Sequence, residues 1–342
     1  MRKDGVVTNG KFEGLTHISN LQGQFAIVAT DQRDDLRKLI NPQNPEEVTS
    51  EELKTVKKAL IRNLAGKKSP GKASGILVDA IYSRERRFLE SCNLRADIGL
   101  LMGIEASEYG PKGQTAPETS VFGGLEADEA VRRVKMWGAA AVKLMVYYHP
   151  SGPTRRHQES VVRAVGRACE RNDIPFLLEP LSHHLEVGPS KNMDAKKFAE
   201  IKPGIVIETA RELSKPEYGA DVLKAEYPLD VRFAEELGQD PSDACRELDE
   251  TCQIPWVVLS AGVDFDEFVE ALKHSVENGA SGFLCGRAIW KEAVASPDME
   301  GVLLETGVRR LNRLVEMVER RGRPWYKKYV SSISEIDVIR GE

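Results

Sequence analysis

The sequence predicts an α/β protein with a (β/α)8 TIM barrel. Short runs rich in Val, Ile and Leu recur along the whole chain, and charged stretches with helical periodicity separate them. This alternation is typical of parallel strands connected by helices, and eight repeats are the number that closes a barrel. A length of 342 residues is sufficient for one such barrel. We therefore expect a single barrel domain over residues 1–322 and a tail over residues 323–342.

The predicted strands and helices follow one another in regular order. The strands lie near 25–31, 73–79, 97–105, 140–148, 175–181, 220–227, 255–262 and 281–288. Their apolar character is expected for strands that are covered on both faces in a parallel sheet. The helices lie near 49–64, 83–94, 126–138, 154–172, 191–213, 240–252, 264–278 and 300–321. Thr49 and Asp264 mark two helix starts, since each places an oxygen acceptor ahead of acidic first-turn residues.

Two long segments and the tail interrupt this regular spacing. Residues 107–124 follow the third strand and residues 182–192 follow the fifth, at the face where barrel enzymes carry their active sites. Such loops often form lids or substrate walls, and the alternative is a plain surface insertion. The tail carries Trp325, Tyr326 and Tyr329. We expect it to pack on the bottom of the barrel or on a neighbouring subunit.

Composition excludes several classes of function. No apolar run approaches the roughly 18 residues that a membrane-spanning helix needs, and the first residues lack the apolar core of a secretory signal. The net charge is −5, whereas nucleic-acid binding uses a basic surface. The five cysteines form no C-x-x-C pair, which is typical of reduced thiols in a cytoplasm. We expect a cytoplasmic protein with no membrane or nucleic-acid partner.

Polar residues within or directly after the predicted strands are the candidate site residues. In a barrel of this class the reactive groups lie at the carboxyl ends of the strands, and aliphatic side chains fill the interior. The polar residues at these positions are Asp31, Gln32, Arg33, Asp79, Glu105, Lys143, Glu179, Lys224, Ser260 and Arg287.

A lysine in the middle of the apolar run "DVLKAEYPLD" needs an explanation. Lysine is almost never fully buried without a partner or a task, although Lys224 could also snorkel from an edge strand. Lys143 and Glu179 lie on the two preceding strands. Two neighbouring lysines lower each other's pKa, so one of them can be a neutral amine that attacks a carbonyl, with Glu179 as the acid/base. The alternative is an ion pair between Glu179 and either lysine.

The last two strands end in small residues that are typical of a phosphate site. Ser260 and Gly262 lie in "LSAGV", and Gly286 and Arg287 lie in "GFLCGRA". Barrel enzymes commonly bind phosphate through backbone N–H groups after their last two strands, and Arg287 adds a charge-assisted contact. A tight turn alone would also favour glycine.

The sequence gives little support for a metal or a nucleotide cofactor. His183 and His184 are adjacent on a loop, and no third ligand accompanies them. Neither G-x-G-x-x-G nor a P-loop occurs. We expect no cofactor and no metal.

Seven segments, in order, resemble the class I ketose-bisphosphate aldolases of the tagatose 1,6-bisphosphate aldolase family. They are "ATDQR", "ASGILVD", "AVKLMVYY", "FLLEPLS", "DVLKAEYP", "LSAGV" and "GFLCGRA". The longer segments "PWVVLSAGVD" and "GASGFLCGRAIW" also resemble the 6-deoxy-6-sulfofructose-1-phosphate aldolases of the same superfamily. The chain departs from the family's usual pattern in its 107–124 loop, in Pro180 and in its longer tail.

The resemblance implies roles for most of the candidate residues. Lys224 matches the lysine that forms the Schiff base, Glu179 the acid/base at the C4 hydroxyl, and Lys143 the lysine beside them. Asp31 matches the carboxylate that positions the reacting hydroxyls. Residues matching the C1-phosphate site are Ser260, Gly262, Gly286 and Arg287. Gln32, Arg33 and Glu105 complete the expected substrate-binding set. The resemblance implies no metal, because the protonated Schiff base accepts the electrons of the C3–C4 bond as it breaks.

The activity implied is reversible cleavage of a ketohexose 1,6-bisphosphate, foremost tagatose 1,6-bisphosphate, to dihydroxyacetone phosphate and glyceraldehyde 3-phosphate. The alternative substrate is 6-deoxy-6-sulfofructose 1-phosphate, which would release sulfolactaldehyde. A non-catalytic sugar-phosphate sensor and a metal-dependent barrel lyase are alternatives from other classes. The resemblance also implies a homo-oligomer.

Overall fold

Eight parallel strands form a closed barrel. The computed structural model describes residues 5–83, 86–106, 118–185 and 195–341. In chain order the strands are β1 (Val6–Thr8), β2 (Phe25–Ala29), β3 (Gly75–Asp79), β4 (Gly99–Gly103), β5 (Ala141–Tyr147), β6 (Phe176–Leu181), β7 (Val222–Glu226), β8 (Trp256–Leu259), β9 (Gly282–Cys285) and β10 (Asp337–Ile339). The barrel consists of β2 to β9, each paired in parallel with its neighbours. The predicted (β/α)8 fold is confirmed.

Helices precede the barrel, connect its consecutive strands and follow its last strand. They are α1 (Asn9–His17), α2 (Asp34–Ile40), α3 (Ser50–Ala65), α4 (Arg86–Cys92), α5 (Ala127–Met136), α6 (Arg155–Arg171), α7 (Ala195–Leu213), α8 (Pro241–Thr251), α9 (Phe265–Glu277), α10 (Arg287–Val294), α11 (Met299–Val302) and α12 (Val308–Arg321). Across the described ranges, none of these helices is long and apolar enough to cross a bilayer.

The two predicted helix starts have the expected capping interactions. Thr49 Oγ1 accepts the Glu52 N–H at 3.2 Å, and the Glu52 side chain accepts the Thr49 N–H at 2.8 Å. At the start of α9, Glu267 accepts the Asp264 N–H at 3.0 Å. A cap of this kind is worth about 1 kcal/mol and fixes the residue at which the helix begins.

Apolar side chains, most of them aliphatic, fill the lower part of the barrel. Residues of this interior cluster include Phe25, Ile27, Leu77, Leu101, Ala141, Leu177, Val222, Val257 and Leu284. Because alternate side chains of a strand share one face, the residues two positions further along β5, β6 and β7 also face inwards. These residues are Lys143, Glu179 and Lys224. The strand period therefore places the three charged groups directly above the aliphatic layer.

Helix α1 and the tail close the bottom of the barrel. A Cβ at Gly14 would lie 2.4 Å from the Ala140 carbonyl oxygen, so α1 approaches the barrel backbone closely at this glycine. Trp325 is fully buried and donates its backbone N–H to the Gly23 carbonyl at 2.8 Å. Strand β1 pairs in parallel with β10, with Val6 opposite Asp337. The tail therefore packs on the bottom of its own barrel.

Several elements differ from the predicted ones. The sequence predicted no element before residue 25 and neither α2 nor α10, which are helices of seven and eight residues. The predicted strand 281–288 ends at Cys285 because α10 begins at Arg287. The predicted helix 300–321 is divided by a π-helical turn at Leu303–Gly307. Residues 107–117 and 186–192 of the two predicted loops lie outside the described residues.

Candidate active site

A cavity of about 240 Å³ lies at the carboxyl ends of the barrel strands. Most strands contribute inward-facing residues to it, and the turns after β8 and β9 supply the rest. Its polar lining residues are Asp31, Gln32, Asp35, Glu105, Lys143, Tyr147, Glu179, Ser182, Lys224, Glu226, Ser260 and Arg287. Most of the residues that sequence reasoning placed in one site therefore meet in one cavity.

Lys143 is at the centre of a buried charge cluster. Its Nζ lies 2.8 Å from Asp31 Oδ2, 2.8 Å from Glu105 Oε1 and 2.7 Å from Glu179 Oε2. Only 1% of the lysine side chain is exposed. A Cβ at Gly103 would lie 3.2 Å from Glu105 Oε1, so the glycine leaves space for these side chains. The ammonium makes a charge-assisted contact with each of the three carboxylates.

The three carboxylates keep Lys143 protonated. Burial alone lowers the pKa of Lys143, but the attraction of Asp31, Glu105 and Glu179 outweighs it and raises the pKa well above its usual value. Lys143 is therefore not the lysine that could be a neutral amine. Burial raises the pKa of Asp31 and of Glu179, and the two lysines more than reverse this, so both groups are stronger acids than usual.

Lys224 lies in the middle of β7 and reaches the cavity wall. Its Nζ lies 2.6 Å from Glu179 Oε1, and its side chain is 5% exposed. The alternative of an edge-strand lysine is wrong, because β7 pairs with both β6 and β8 in a closed barrel. The ion pair that was the alternative does form, since Glu179 pairs with both lysines. This pairing does not exclude chemistry, because Lys224 and its partner Glu179 both line the cavity.

The turn after β8 has an unusual backbone. Ala261 and Gly262 have φ angles of 47° and 79°, in the left-handed region. Glycine adopts this region without strain, whereas alanine does so at a cost. A Cβ at Gly262 would lie 3.0 Å from Arg287 Cζ, so Gly262 packs behind the guanidinium and is not itself among the residues lining the cavity. Ser260 and Ala261 line the cavity beside it.

The turn after β9 brings the start of α10 to the cavity. A Cβ at Gly286 would lie 2.7 Å from the Ala29 carbonyl oxygen and 3.0 Å from Gln32 Nε2, so the close approach requires glycine. Arg287, the first residue of α10, pairs with Asp35 through Nη1 and Oδ2 at 2.5 Å. The positive end of a helix and a guanidinium thus lie on the same side of the cavity.

Two predicted substrate-binding residues have other partners. Arg33 is buried but does not line the cavity, and its Nη1 donates to the Ala106 carbonyl at 2.9 Å. Glu105 lines the cavity, with one oxygen on Lys143 and the other accepting the Met145 N–H at 3.2 Å. Gln32 lines the cavity as expected.

Comparison with known proteins identifies the family. The model of the DeoC/LacD family aldolases matches residues 25–292, which include all eight barrel strands and every charged residue of the cavity. The chain belongs to the DeoC/LacD aldolase family. This family membership agrees with the resemblance seen in the sequence.

Curated relatives of this DeoC/LacD family member match it over nearly its whole length. A tagatose 1,6-diphosphate aldolase of Listeria monocytogenes serotype 4a is 30% identical, over 97% of this chain and 98% of the relative. Tagatose 1,6-diphosphate aldolase 2 of Enterococcus faecalis is also 30% identical, over 94% and 97%. The enzyme of Lactococcus lactis with the same activity name is 28% identical, over 94% and 99%.

Solved structures similar to the family member share its fold. A Schiff-base-forming fructose-1,6-bisphosphate aldolase superposes with a TM-score of 0.56 at 18% identity, covering 90% of this chain and 98% of the other. Fructose-bisphosphate aldolase from Slackia heliotrinireducens gives a TM-score of 0.60 at 12% identity, covering 94% and 96%. At these sequence identities the similarity shows the barrel fold alone.

Sequence reasoning missed several residues of the cavity. Glu226 lines it and accepts the Ser182 N–H at 2.6 Å. Asp35 and Met145 line it as well. The strand period was the available signal for two of them, because Glu226 is two residues after Lys224 and Met145 is two residues after Lys143.

The histidine pair predicted as a weak metal candidate has a different environment. His183 is buried, and its ring centroid lies 5.8 Å from that of His149. Burial lowers the pKa of His149 and that of His183. Within the described part of the chain, no group of three or more His, Cys, Asp or Glu residues has the arrangement of a metal site.

Proposed function

We propose that this protein is a Schiff-base aldolase that cleaves a ketohexose 1,6-bisphosphate, foremost tagatose 1,6-bisphosphate. The products are dihydroxyacetone phosphate and glyceraldehyde 3-phosphate. The observation that carries the proposal is the contact of 2.6 Å between Lys224 Nζ and Glu179 Oε1 on the wall of the cavity. The family and the names of its curated relatives support the substrate.

The first step is formation of the Schiff base on Lys224. Glu179 accepts a proton from the Lys224 ammonium, and the neutral amine attacks the C2 carbonyl of the substrate. The carbinolamine then loses its hydroxyl as water, with Glu179 returning a proton to the leaving oxygen. The product of this step is a protonated iminium at C2.

Cleavage follows from the electron demand of the iminium. The C4 hydroxyl gives its proton to Glu179, C4 becomes a carbonyl, and the electrons of the C3–C4 bond move into an enamine. The aldehyde half leaves, the enamine takes a proton at C3, and water releases dihydroxyacetone phosphate from Lys224. The distance of 2.6 Å between Lys224 Nζ and Glu179 Oε1 supports this sequence of proton transfers, because a proton can pass along one hydrogen bond.

Lys143 holds the carboxylates of the site in place. Because three carboxylates surround its ammonium, it stays charged and cannot serve as the base. It contacts Glu179 through the oxygen that does not face Lys224, so it fixes the orientation of that carboxylate. It also directs Asp31 towards the cavity, where Asp31 Oδ1 is buried and has no hydrogen-bond partner among the described residues. In our proposal this oxygen accepts a reacting substrate hydroxyl.

The C1 phosphate is proposed to bind beside α10. Ser260 offers a hydroxyl, Arg287 offers a guanidinium, and the start of α10 directly after Gly286 carries a partial positive charge. Phosphate would take the place of Asp35 on the guanidinium. The relatives give no specific support to the alternative substrate 6-deoxy-6-sulfofructose 1-phosphate.

Borohydride trapping tests the proposed chemistry. We expect wild-type protein mixed with dihydroxyacetone phosphate and borohydride to gain the mass of the reduced adduct, and peptide mapping to place it on Lys224. Lys224→Ala should gain no adduct and lose turnover by roughly 10⁶-fold, as nucleophile deletions do elsewhere. Labelling of another residue, or none, would return the protein to the sensor hypothesis.

A second measurement separates the substrates and the metal alternative. Retro-aldol turnover is compared for tagatose 1,6-bisphosphate and 6-deoxy-6-sulfofructose 1-phosphate, each with and without EDTA. We expect a higher kcat/KM for the bisphosphate and no effect of EDTA.

We further propose that the protein works in the cytoplasm as a homo-oligomer. Its five free cysteines support the compartment, and the resemblance to the aldolase family supports the assembly.

A further inference from the structure

Another buried lysine, which is not part of the cavity, lies behind it. Lys57 belongs to α3 and is fully buried, yet it does not line the cavity. Its Nζ lies 2.5 Å from the Thr30 carbonyl, 2.8 Å from the Gln32 carbonyl and 2.9 Å from Asp79 Oδ2. A buried ammonium is costly unless it is paired and hydrogen-bonded, and here all three donors have an acceptor.

Asp79 connects this lysine to the end of β3. Its Oδ1 accepts the backbone N–H groups of Ile81 at 2.9 Å and Tyr82 at 2.7 Å, while its Oδ2 faces Lys57. The aspartate therefore fixes the turn after β3, and Lys57 connects that turn to the segment after β2. Asp79 was a candidate site residue in the sequence, but it is not among the residues lining the cavity.

We propose that the Lys57–Asp79 pair is a positioning element for Asp31 and Gln32. The two carbonyls that Lys57 holds belong to the residues on either side of Asp31. This fixes the backbone from which Asp31 reaches Lys143 at 2.8 Å and from which the Gln32 side chain lies against Gly286. The inference rests on the proposed aldolase function, in which Asp31 orients the reacting hydroxyl.

The alternative is a purely structural role, in which the pair only stabilises the packing of α3. The chain contains a matched control for this alternative. Lys11 and Asp221 form another buried pair, with Nζ to Oδ distances of 2.9 and 3.1 Å, at the bottom of the barrel. Lys57→Met and Lys11→Met each remove one buried ammonium from one aspartate. Only the first alters the support of Asp31.

The test measures two steps on the same folded protein. Borohydride trapping with dihydroxyacetone phosphate measures Schiff-base formation, and turnover of tagatose 1,6-bisphosphate measures cleavage. Both are measured for Lys57→Met, Lys11→Met, Asp31→Asn and Lys57→Met/Asp31→Asn. We expect Lys57→Met to lower kcat by about 10- to 100-fold, as a displacement near 1 Å of a reacting group does, and to leave trapping intact. The double variant should be no worse than Asp31→Asn, because the two residues act through one group.

The outcomes separate this inference from the proposed function. Absence of a Lys224 adduct in wild type would overturn the aldolase proposal itself. An adduct in wild type, with Lys57→Met and Lys11→Met equal in kcat per folded molecule, would overturn only the positioning role. If Lys57→Met does not fold, Asp79→Asn takes its place, since asparagine keeps the oxygen that accepts from Ile81 and Tyr82. An unchanged kcat in Asp79→Asn would then overturn the inference.

Discussion

The two ends of the barrel bury the same kinds of charge in different ways. At the bottom, Lys11 pairs with both oxygens of Asp221. At the top, Glu179 divides its oxygens between Lys143 and Lys224. Burial is similar at both ends, so burial alone does not distinguish a structural pair from a reactive one. A carboxylate shared between two amines can exchange a proton with one while the other holds it in place.

Glu179→Gln is the strongest test of this contrast. The amide keeps the size of the side chain but cannot accept a proton from Lys224, so kcat should fall by about 10²- to 10⁴-fold. Asp221→Asn makes the matching change at the bottom and should leave kcat per folded molecule unchanged. Turnover of the two variants is compared at equal concentrations of folded protein, and circular dichroism measures the folded fraction. Equal losses in both variants would contradict the distinction between the two ends.

Removing Lys143 at the top or Lys11 at the bottom compares how much each buried cation contributes to the free energy of unfolding. Lys143→Met leaves three carboxylates without their shared cation, and breaking a buried pair costs roughly 3–5 kcal/mol in the free energy of unfolding. In this variant the carboxylates repel one another and their pKa values rise above those of the unfolded chain. The folded state then binds more protons, so stability increases as the pH falls from 7 to 5.

Urea denaturation at pH 7 and pH 5 measures this effect. Lys11→Met leaves a single carboxylate and should recover less stability on acidification than Lys143→Met. A larger recovery in Lys11→Met would show that the three carboxylates at the top do not share the Lys143 charge as the distances indicate.

Arginines at the two ends should differ in their effect on substrate binding. Arg287→Ala removes the guanidinium beside the proposed phosphate site, and a hydrogen bond to a charged group is worth about 1.5–3 kcal/mol, so KM should rise roughly 10- to 100-fold. Arg323 pairs with Asp249 at 2.9 Å at the bottom, and Arg323→Ala should not change KM. Steady-state kinetics of both variants decide whether phosphate binds at α10.

The smallest expected effect is the acid sensitivity of the bottom pair. Burial raises the pKa of Asp221, but the attraction of nearby cations, first of all Lys11, outweighs it, and the folded value is about 2 compared with 3.8 for the unfolded chain. A depressed carboxyl pKa gives stability that is present above the unfolded value and lost as the pH falls through the folded value. Between pH 5 and pH 2 the wild type should lose about 2 kcal/mol more than Asp221→Asn in urea titrations.

The strands and the central charges could be predicted because their signals are local. A strand covered on both faces is a short apolar run, and all eight runs correspond to strands in the same order. A charged residue within such a run is conspicuous, which is how Lys143, Glu179 and Lys224 were found. The structure brings these residues to one cavity, and the roles assigned to them remain proposals.

The remaining features depend on contacts between distant parts of the chain. The pKa direction of Lys143 follows from three carboxylates that lie within or shortly after three other strands. Lys57 lies in a helix whose many charged residues look like a solvent face in the sequence, and only the fold buries it between the ends of β2 and β3. The closure of the bottom by α1 and Trp325 needs residues that are more than 300 positions apart.

The pairing of β1 with β10 has a consequence for synthesis of the protein. Val6 finds its partner only when Asp337 has left the ribosome, roughly 15 to 60 seconds later at typical elongation rates. During that interval β1 lacks its partner strand, and the segment that carries it must wait beside a barrel that is still being assembled. The ring of eight strands can therefore close around its charges before its two chain ends join beneath it.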